Sequence, residues 1–290
     1  MKLIITGAKG QLAGEFSKVL QNDNHKITSF DRESLDVSDS QAVLEAISHV
    51  RPDVVINCAA YNFVDKAEED FETAFRINAF GPKNLASACK RYNAFLVHYS
   101  TDYVFNGEKR DFYTELDEPD PINNYGKSKL SGEDLLKNEI DNFLLFRVSW
   151  VYGEGRQNFL YKLKNWAEKN SVIRVVCDQI SVPTYTEDIV RFTMKAIDEG
   201  LKGMYHLTNS GYASRYEVAR YFIDKLGLNR LILPVNSDYF NPPDKRTAKR
   251  PYFSAMSNGT LSKDFRLNIP DWRNGIDRFV ERLRKNEMTV

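Results

Sequence analysis

The sequence predicts an α/β fold: a Rossmann-type, doubly wound parallel sheet followed by a smaller C-terminal lobe. Three observations support this prediction. Short apolar runs alternate with longer helical patterns through the first half of the chain. The runs are continuously apolar, as expected of parallel strands that are covered by helices on both faces. Two glycines follow the first run, at the point where the chain would turn from a strand into a helix.

The strands predicted in the first half are uninterrupted apolar runs. They are KLIIT, KITSF, DVVINCAA, AFLVHYS and NFLLFRVS. Between them lie helical patterns with apolar residues on one face. These are GQLAGEFSKVLQN, a segment that begins at a capping Ser38, a long stretch over 65–92, and the segment that follows Tyr125.

After Trp150 this alternation becomes less regular. The second half contains helical patterns such as QNFLYKLKNWAEKN, strand-like runs such as VIRVVC and GMYHLTN, and a segment over 231–257 that is rich in Pro, Asn and basic residues. No sequence repeat or flexible linker separates the halves. We therefore predict a domain over residues 1–150 and a packed lobe over residues 151–290, with some segments of the lobe returning to the first sheet.

The size and charge of the chain argue against several classes of protein. It has 290 residues, of which 42% are hydrophobic and 12% aromatic, enough for a large core. Lys and Arg total 40, as do Asp and Glu, so the formal net charge is zero. This balance argues against a nucleic-acid-binding protein that neutralises phosphates, and against a polybasic membrane protein.

The cysteines and histidines indicate neither a disulfide framework nor a metal site. Cys58, Cys89 and Cys177 lie far apart without a CxxC pair, and the histidines have no metal-ligand spacing. The N-terminus lacks a signal-peptide pattern, and no run approaches the roughly 18 apolar residues of a membrane helix. We therefore predict a soluble cytoplasmic protein in a reducing compartment.

Gly7, Gly10 and Ala13 follow the first predicted strand and open the first helix. A tight turn there lets backbone amides approach a pyrophosphate, and the helix N-terminus favours its negative charge. The GxxGxxA spacing is looser than GxGxxG, and an ordinary turn is the alternative. The position of the glycines favours a dinucleotide site, so we predict that residues 1–150 bind a dinucleotide.

Asp31 and Arg32 follow the second strand, where a dinucleotide site selects its cofactor. Asp31 would bind the adenosine ribose and favour NAD(H), whereas Arg32 would bind a 2′-phosphate and favour NADP(H). Both cofactors remain open, and we favour NADP(H). Further cofactor contacts are predicted after the second strand and at the end of the third, at Asp36, Val37, Ala59, Ala60, Tyr61 and Asn62.

Tyr125 and Lys129 lie four residues apart in a predicted helix and therefore share a face. An unperturbed phenol has a pKa of about 10, which a neighbouring ammonium would lower. Thr101, at the end of the fourth strand, would donate its hydroxyl to a substrate oxygen. A second YxxxK pair, Tyr221 and Lys225, lacks such surroundings and is interpreted as a solvated helix face. We predict that Tyr125 is a catalytic acid.

Several sequence blocks resemble a known family. TGAKGQLAGE, NCAAYNFVDKAEED, YSTDYVF, YGKSK, FRVSWVYG, DQISVPT and AKRPYFSAMS occur in this order and span nearly the whole chain. Together they resemble the dTDP-4-dehydrorhamnose reductase family of the extended short-chain dehydrogenase/reductase superfamily. The resemblance implies an NAD(P)H-dependent oxidoreductase that reduces the C4 keto group of a dTDP-linked 4-keto-6-deoxy sugar. Its expected reaction converts dTDP-4-dehydro-L-rhamnose to dTDP-L-rhamnose for polysaccharide biosynthesis.

The resemblance also assigns roles to residues. The catalytic residues of the family fall on Thr101, Tyr125 and Lys129, and the last two also face the cofactor. Its cofactor contacts fall on Gly10, Gln11, Leu12, Asp31, Asp36, Val37, Ala60, Tyr61, Asn62 and Tyr99. Its substrate contacts fall on Asp102, Tyr103 and Trp150, and Arg250 is expected near the nucleotide diphosphate. The lobe over 151–290 would then bind substrate, with core packing as the alternative for Trp150.

Other hypotheses remain open beside this one. The family includes regulatory subunits, although the intact Thr-Tyr-Lys set argues against that role here. A reductase or epimerase acting on another nucleotide sugar is a second alternative, and a homodimer is a third open point. The rim sequence AAYN replaces the AAHT of many relatives, which bears on substrate or cofactor preference.

Two charged features are not assigned to the site. Some relatives bind Mg²⁺ through acidic residues at a dimer contact, where Glu15 is the candidate here. A glutamate in a first helical turn more often interacts with the helix dipole, so we assign no metal. The basic residues Lys245, Arg246 and Lys249 are interpreted as a solvated loop.

Overall fold

The computed structural model describes residues 1–21, 23–155, 158–240, 247–265 and 268–287. Its strands are β1 (Lys2–Thr6), β2 (Lys26–Phe30), β3 (Val54–Asn57), β4 (Phe95–Thr101), β5 (Phe143–Val148), β6 (Val151–Tyr152), β7 (Val172–Val176), β8 (Ile180–Ser181), β9 (Thr184–Tyr185), β10 (Gly203–His206), β11 (Ala213–Ser214) and β12 (Leu231–Val235). Its α-helices are α1 (Gln11–Val19), α2 (Ser40–Val50), α3 (Phe71–Phe75), α4 (Gly81–Tyr92), α5 (Asn124–Glu139), α6 (Phe159–Lys169), α7 (Thr186–Asp198), α8 (Arg215–Lys225), α9 (Gly259–Phe265) and α10 (Trp272–Glu287). Short 3₁₀ turns cover Lys66–Glu68, Asp102–Val104 and Ser237–Phe240, and a π-helical turn covers Arg76–Phe80.

A six-stranded sheet forms the centre of the molecule, in the order β2-β1-β3-β4-β5-β10. Every neighbouring pair in it is parallel. The chain leaves β1 towards β2 and then returns to β3 on the other side of β1, which creates the switch point at which open α/β sheets bind ligands. The predicted doubly wound parallel sheet is therefore confirmed.

Helices cover both faces of this sheet because successive side chains of its buried strands point to opposite sides. Leu3 and Ile5 of β1 belong to the core beneath α1 and α7, whereas Ile4 belongs to the core beneath α2, α4 and α5. All three side chains are fully buried. Among the described residues, no helix combines the length and the apolar composition required to cross a membrane.

The second half of the chain has its own core as well as a strand in the main sheet. Helices α6, α8 and α10 pack around Phe222, Trp272 and Phe279, beside the parallel pair of β7 and β12. Strand β10 instead pairs with β5 at the edge of the six-stranded sheet. The boundary at residue 150 stays a prediction.

Two local predictions were wrong. Asp39, not Ser38, caps α2, because the Asp39 carboxylate accepts hydrogen bonds from the first-turn amides while the Ser38 hydroxyl donates to Asp36. The long helix predicted over 65–92 begins as a separate 3₁₀ turn and becomes continuous only from Phe71. Asp70 provides the physical reason, since its side chain caps the new helix at Thr73.

Candidate active site

The carboxyl ends of β1, β3 and β4 meet at one edge because the strands are parallel and in register. A buried polar chain crosses this edge. Thr6 Oγ1 donates to Asn57 Oδ1 over 2.6 Å, and Asn57 Nδ2 lies 3.0 Å from His98 Nδ1. Asn57 Oδ1 also accepts from the Ala59 amide at 3.1 Å, which fixes the turn after β3. Asn57 was not predicted as a site residue. A polar residue at the end of an apolar strand could have indicated it.

The glycine loop approaches this edge closely. Gly7 has φ +72°, and a side-chain carbon there would lie only 2.8 Å from the Ala59 nitrogen. Gly10 forms the N-cap of α1 without a side-chain capping bond, so the first-turn amides of Gln11 and Leu12 point out of the helix end. This arrangement fits the pyrophosphate of a dinucleotide, since the first-turn amides have no side-chain cap and Gly7 lets the loop pass close to the turn after β3. Ala13 is buried against the sheet.

The end of β2 carries a charged turn. Asp31 Oδ1 accepts hydrogen bonds from the Ser34 amide and hydroxyl, and Lys9 Nζ lies 2.8 Å from Asp31 Oδ2. These contacts, that with Lys9 foremost, hold the pKa of Asp31 well below its usual range. Arg32 is exposed beside this turn. The two predicted selectors thus lie together, with the Asp31 carboxylate already bound by Lys9.

Helix α5 is placed by contacts at both of its faces. Asn123 caps it by accepting from the Gly126 amide at 2.7 Å. Gly126 leaves no room for a side chain against the Tyr103 carbonyl, and Gly132 leaves none against the Asn78 carbonyl. Glycine at these two positions therefore allows the helix to lie directly on the 3₁₀ turn after β4 and on the π-helical turn.

Asn78 links this helix to the rim of the glycine loop. Its amide nitrogen donates to the Tyr61 carbonyl and to Ser128 Oγ, both at 3.0 Å, while its oxygen accepts from the Tyr61 amide at 2.8 Å. Ser128 in turn donates to the Tyr125 carbonyl. Asn78 was not predicted, and its position inside the sequence RINAF offers no motif that would reveal it.

Tyr125 lies at the centre of the edge, with only 9% of its surface exposed. Its ring packs edge-on against Tyr103 with centroids 5.8 Å apart, and its hydroxyl lies 3.5 Å from Asn62 Oδ1. Burial raises the pKa of Tyr125 above its ordinary value, and the nearby Thr101 side chain opposes this only in part. The predicted lowering by Lys129 is not observed, because burial dominates.

Lys129 lies one helical turn from Tyr125, as the spacing predicted, and is 2% exposed. Its side-chain nitrogen donates to the Tyr99 carbonyl oxygen over 2.6 Å. Burial lowers the pKa of Lys129 to about 8, and the neighbouring Glu133 carboxylate opposes that shift. Glu133 is itself held by a buried ion pair with Arg147 on β5, with 2.7 Å between nitrogen and oxygen.

The turn after β4 brings three predicted residues together. Thr101 Oγ1 donates to Asp102 Oδ1 at 3.2 Å and accepts from the Tyr103 amide at the same distance. Asp102 is 2% exposed and Tyr103 is 8% exposed. Burial raises the pKa of Asp102 to about 6, and hydrogen bonds from surrounding hydroxyls oppose that shift.

Two arginines from the second half of the chain face Tyr103. Both guanidinium groups, of Arg250 and Arg215, lie close enough to its phenol to favour the charged form of Tyr103, and so oppose the rise in its pKa that burial causes. Arg250 Nη2 also lies 2.8 Å from Asp65 Oδ2, and the Arg215 guanidinium stacks 4.2 Å above the Trp150 ring. Arg215 was not predicted, since it lies at the start of α8 without any motif around it.

The remaining predicted residues fall into two groups. The rim of the site is the segment after β3, which contains Ala59, Ala60 and Tyr61. The Gln11 side chain, at the start of α1, donates to the Val151 carbonyl at 3.1 Å. The others contact the core or their own turn: Leu12, Asp36, Val37, Trp150 and the ring of Tyr99. Of these, Tyr99 offers the site its carbonyl while its hydroxyl bonds Thr193 at 2.8 Å.

The Glu15 carboxylate, which was considered as a metal ligand, forms an ion pair with the Arg282 side chain. Arg282 Nη1 lies 2.8 Å from Glu15 Oε1, and Thr186 Oγ1 donates to its other oxygen at 3.2 Å. Within the described ranges, no cluster of His, Cys, Asp and Glu side chains has the geometry of a metal site. Lys249 is exposed, whereas Lys245 and Arg246 lie outside the described residues.

Comparison with known proteins identifies the family. The family model described as RmlD substrate binding domain matches residues 1–285. Spore coat polysaccharide biosynthesis protein SpsK of Bacillus subtilis is 34% identical over 97% of each chain. The dTDP-4-dehydrorhamnose reductase of Mycolicibacterium smegmatis is 35% identical over 96% of this chain and 85% of its own. The crystal structure of dTDP-4-dehydrorhamnose reductase from Bacillus anthracis in complex with NADP is 36% identical, covers 96% of this chain and 98% of its own, and superposes with a TM-score of 0.92.

These matches span almost the full length of the chain, so the family holds for both halves of the molecule. They agree with the glycine loop at the switch point and with the Tyr125 and Lys129 pair on one face of α5. The resemblance drawn from the sequence blocks is confirmed. The chain belongs to the dTDP-4-dehydrorhamnose reductase family of extended short-chain dehydrogenases/reductases.

Proposed function

We propose that this protein is an NADPH-dependent oxidoreductase that reduces the C4 keto group of dTDP-4-dehydro-L-rhamnose to give dTDP-L-rhamnose. The observation that carries this proposal is the buried Tyr125 phenol, one helical turn from the Lys129 ammonium and close to the Thr101 side chain, at the sheet edge that holds the glycine loop. The names of the full-length relatives support the same substrate and reaction.

The residues of the glycine loop and the following rim would hold the dinucleotide. The amides at the start of α1 would bind its pyrophosphate, and Lys129 would bind the nicotinamide ribose. Arg32 is exposed at the end of β2, where a 2′-phosphate would lie, and Lys9 neutralises the Asp31 carboxylate that would repel it, which favours NADP(H) over NAD(H). When bound, the reduced nicotinamide supplies the hydride for C4 of the sugar.

Tyr125 is suited to act as the proton donor. Because burial raises its pKa, the phenol keeps its proton at neutral pH and can release it only to a stronger base. An alkoxide that develops at C4 is such a base. Thr101 can donate a second hydrogen bond to this oxygen, and the positive charge of Lys129 stabilises the tyrosinate that remains.

The second half of the chain would hold the nucleotide part of the substrate. Arg250 and Arg215 are cations near Tyr103, and guanidinium groups bind diphosphates through paired hydrogen bonds. Trp150 stacks with Arg215 at the same place. We therefore keep Tyr103, Trp150 and Arg250 as proposed substrate contacts and add Arg215.

The cellular setting completes the proposal. Cys58, Cys89 and Cys177 are free thiols, which supports a reducing cytoplasmic compartment. The product would serve polysaccharide biosynthesis. We retain a homodimer as a prediction, to be checked by light scattering of the purified chain.

An assay with purified protein tests the proposed function. Incubation of NADPH with dTDP-4-dehydro-L-rhamnose is expected to consume both compounds in equal amounts, with dTDP-L-rhamnose as the product. A product with the other configuration at C4 would indicate a different sugar reductase. Absence of any turnover by the folded wild-type protein would contradict the enzyme proposal and favour a regulatory subunit.

A further inference from the structure

Asp102 connects the end of β4 with two segments from the second half of the chain. Ser181 Oγ donates to Asp102 Oδ2 over 2.9 Å, and Ser254 Oγ donates to the same oxygen over 2.6 Å. Ser181 ends β8, whereas Ser254 follows the segment that carries Arg250. All these side chains are buried, with exposed fractions of 0% for Ser181 and 2% for Ser254 and Asp102.

The bonds to the carboxylate differ in length. The Ser254 bond, at 2.6 Å, has the short distance of a hydroxyl group bound to a charged oxygen, whereas the Ser181 bond is longer, at 2.9 Å. The Thr101 hydroxyl lies farther away, at 3.2 Å from Asp102 Oδ1. Because the two serines donate hydrogen bonds to the carboxylate, they make it a weaker acceptor for the hydrogen bond from Thr101. The Thr101 proton is then available to a substrate oxygen.

The position of the Thr101 hydroxyl oxygen is fixed at the same time. This oxygen accepts from the Tyr103 amide at 3.2 Å, which leaves the hydrogen free to turn between Asp102 and the side on which Tyr125 lies. Both of these neighbours are held by the turn after β4 and by α5. The two serines from the second half of the chain therefore affect the Thr101 hydroxyl indirectly, because both bind the Asp102 carboxylate that accepts its hydrogen bond.

We propose that Asp102, Ser181 and Ser254 are positioning residues. When the second half of the chain is packed in place, its two serines bind Asp102, and Asp102 then leaves the Thr101 hydroxyl available to hydrogen-bond the substrate oxygen. This inference rests on the proposed reduction. It differs from the expectation that Asp102 contacts the sugar, because both carboxylate oxygens are bound by hydroxyl groups of the protein. It also adds two serines, which belong to the sequence blocks DQISVPT and AKRPYFSAMS but had no role assigned to them.

A double-mutant cycle with Thr101 tests this inference. The double variant Ser181→Ala/Ser254→Ala is expected to lower kcat about tenfold in an otherwise wild-type chain, with KM for the sugar changed less than about twofold. In a Thr101→Val chain, the same two substitutions are expected to change kcat by less than about twofold, because the hydroxyl on which they act is gone. If the double variant does not fold, Ser254→Ala alone, which removes the shorter bond, is expected to show the same dependence on Thr101.

Ser149→Ala is the matched control. Ser149 is also buried and donates to the Val182 carbonyl at 2.6 Å, next to Ser181, without contacting Asp102. Its effect on kcat, if any, is expected to be equal in both backgrounds. An equal loss from the Asp102 serines in both backgrounds would overturn the inference, and so would a rise in sugar KM at constant kcat, which would make Asp102 a substrate contact. Wild-type turnover is measured in parallel, so failure of the proposed function is separately visible.

Discussion

The Lys129 side-chain nitrogen is 2.6 Å from the Tyr99 carbonyl oxygen, and its side chain is almost completely removed from solvent. A buried ammonium with a neutral ligand is costly, and burial accordingly lowers its pKa to about 8. Glu133 compensates only partly, since it is itself paired with Arg147. A role in the proposed reduction next to Tyr125, and not stability, would therefore explain why a lysine occupies this position.

Lys129→Met is predicted to abolish turnover while making the protein more stable. Methionine fills the same space without a charge, so at pH 7 the free energy of unfolding should rise by about 1–3 kcal/mol. The folded pKa of Lys129, about 8, lies below its ordinary value of 10.5, so wild-type stability grows as pH rises between them. The advantage of the variant should therefore shrink over that range, as measured by denaturant unfolding.

The exposed neighbour Lys127 supplies the control for this experiment. Lys127→Met removes the same charge from the same helix and should change the unfolding free energy by less than about 0.5 kcal/mol. A Lys129→Met protein that is less stable than the wild type at pH 7 would show that the ammonium is a net stabilising group.

The pH dependence of kcat is predicted to have two limbs. Burial raises the pKa of Asp102 to about 6, so on the acid side its carboxyl gains a proton and no longer accepts both serine hydroxyls. The Lys129 ammonium is lost as pH rises through about 8, which sets the alkaline limb. Asp102→Asn is expected to remove the acid limb and keep the alkaline one.

The other groups around Asp102 leave this assignment unambiguous. Tyr103 and Tyr125 remain neutral phenols at these pH values because burial raises the pKa of each, and the nearby Arg215 and Arg250 remain charged. An acid limb that persists unchanged in Asp102→Asn would therefore show that a group on the substrate, or elsewhere in the protein, sets it.

Arg32→Ala is predicted to weaken NADPH binding roughly tenfold and NADH binding less than about twofold, because only NADPH carries the 2′-phosphate. The measurement is the dissociation constant of each cofactor by fluorescence or calorimetry. Lys26→Ala removes an exposed cation from the opposite end of β2 and should affect neither cofactor. Equal losses for both cofactors in Arg32→Ala would show that Arg32 does not bind the phosphate.

Gly132→Ala is predicted to destabilise the protein by about 2 kcal/mol or more, because its new methyl group would collide with the Asn78 carbonyl. Gly14→Ala is the matched comparison in α1, where a side-chain carbon meets nothing within 4 Å. There the better helix propensity of alanine should add about 0.5–1 kcal/mol. Thermal unfolding of both variants checks the pair, and a harmless Gly132→Ala would contradict the close packing of α5.

Sequence patterns were sufficient where the chain's own periodicity decides the structure. Continuous apolar runs indicated the parallel strands, and the spacing of Tyr125 and Lys129 placed both on one helix face. Because the carboxyl ends of parallel strands meet at one edge, the position of Thr101 near Tyr125 and Lys129 could also be predicted. These predictions depend only on the geometry of a single helix or strand, or on the parallel arrangement of the sheet. They did not require knowledge of contacts between residues far apart in the sequence.

The rest depended on contacts between distant segments. Ser181, Ser254 and Arg215 reach the site from the second half of the chain. The two serines belong to the blocks DQISVPT and AKRPYFSAMS, but the sequence does not show that both meet Asp102, and Arg215 lies in no such block. The pKa of Tyr125 was wrongly expected to fall, because sequence shows the neighbouring lysine but not how deeply the phenol is buried. Burial is a property of the whole fold and outweighs a single neighbour here.

The most direct test of the account follows deuterium from NADPH labelled at the transferable position of the nicotinamide to the sugar. With wild-type protein and dTDP-4-dehydro-L-rhamnose, the account predicts a product that carries one deuterium at C4, and a Tyr125→Phe variant that binds cofactor normally but turns over at least about a hundredfold more slowly. Deuterium at another carbon, or a Tyr125→Phe rate equal to the wild-type rate, would contradict it.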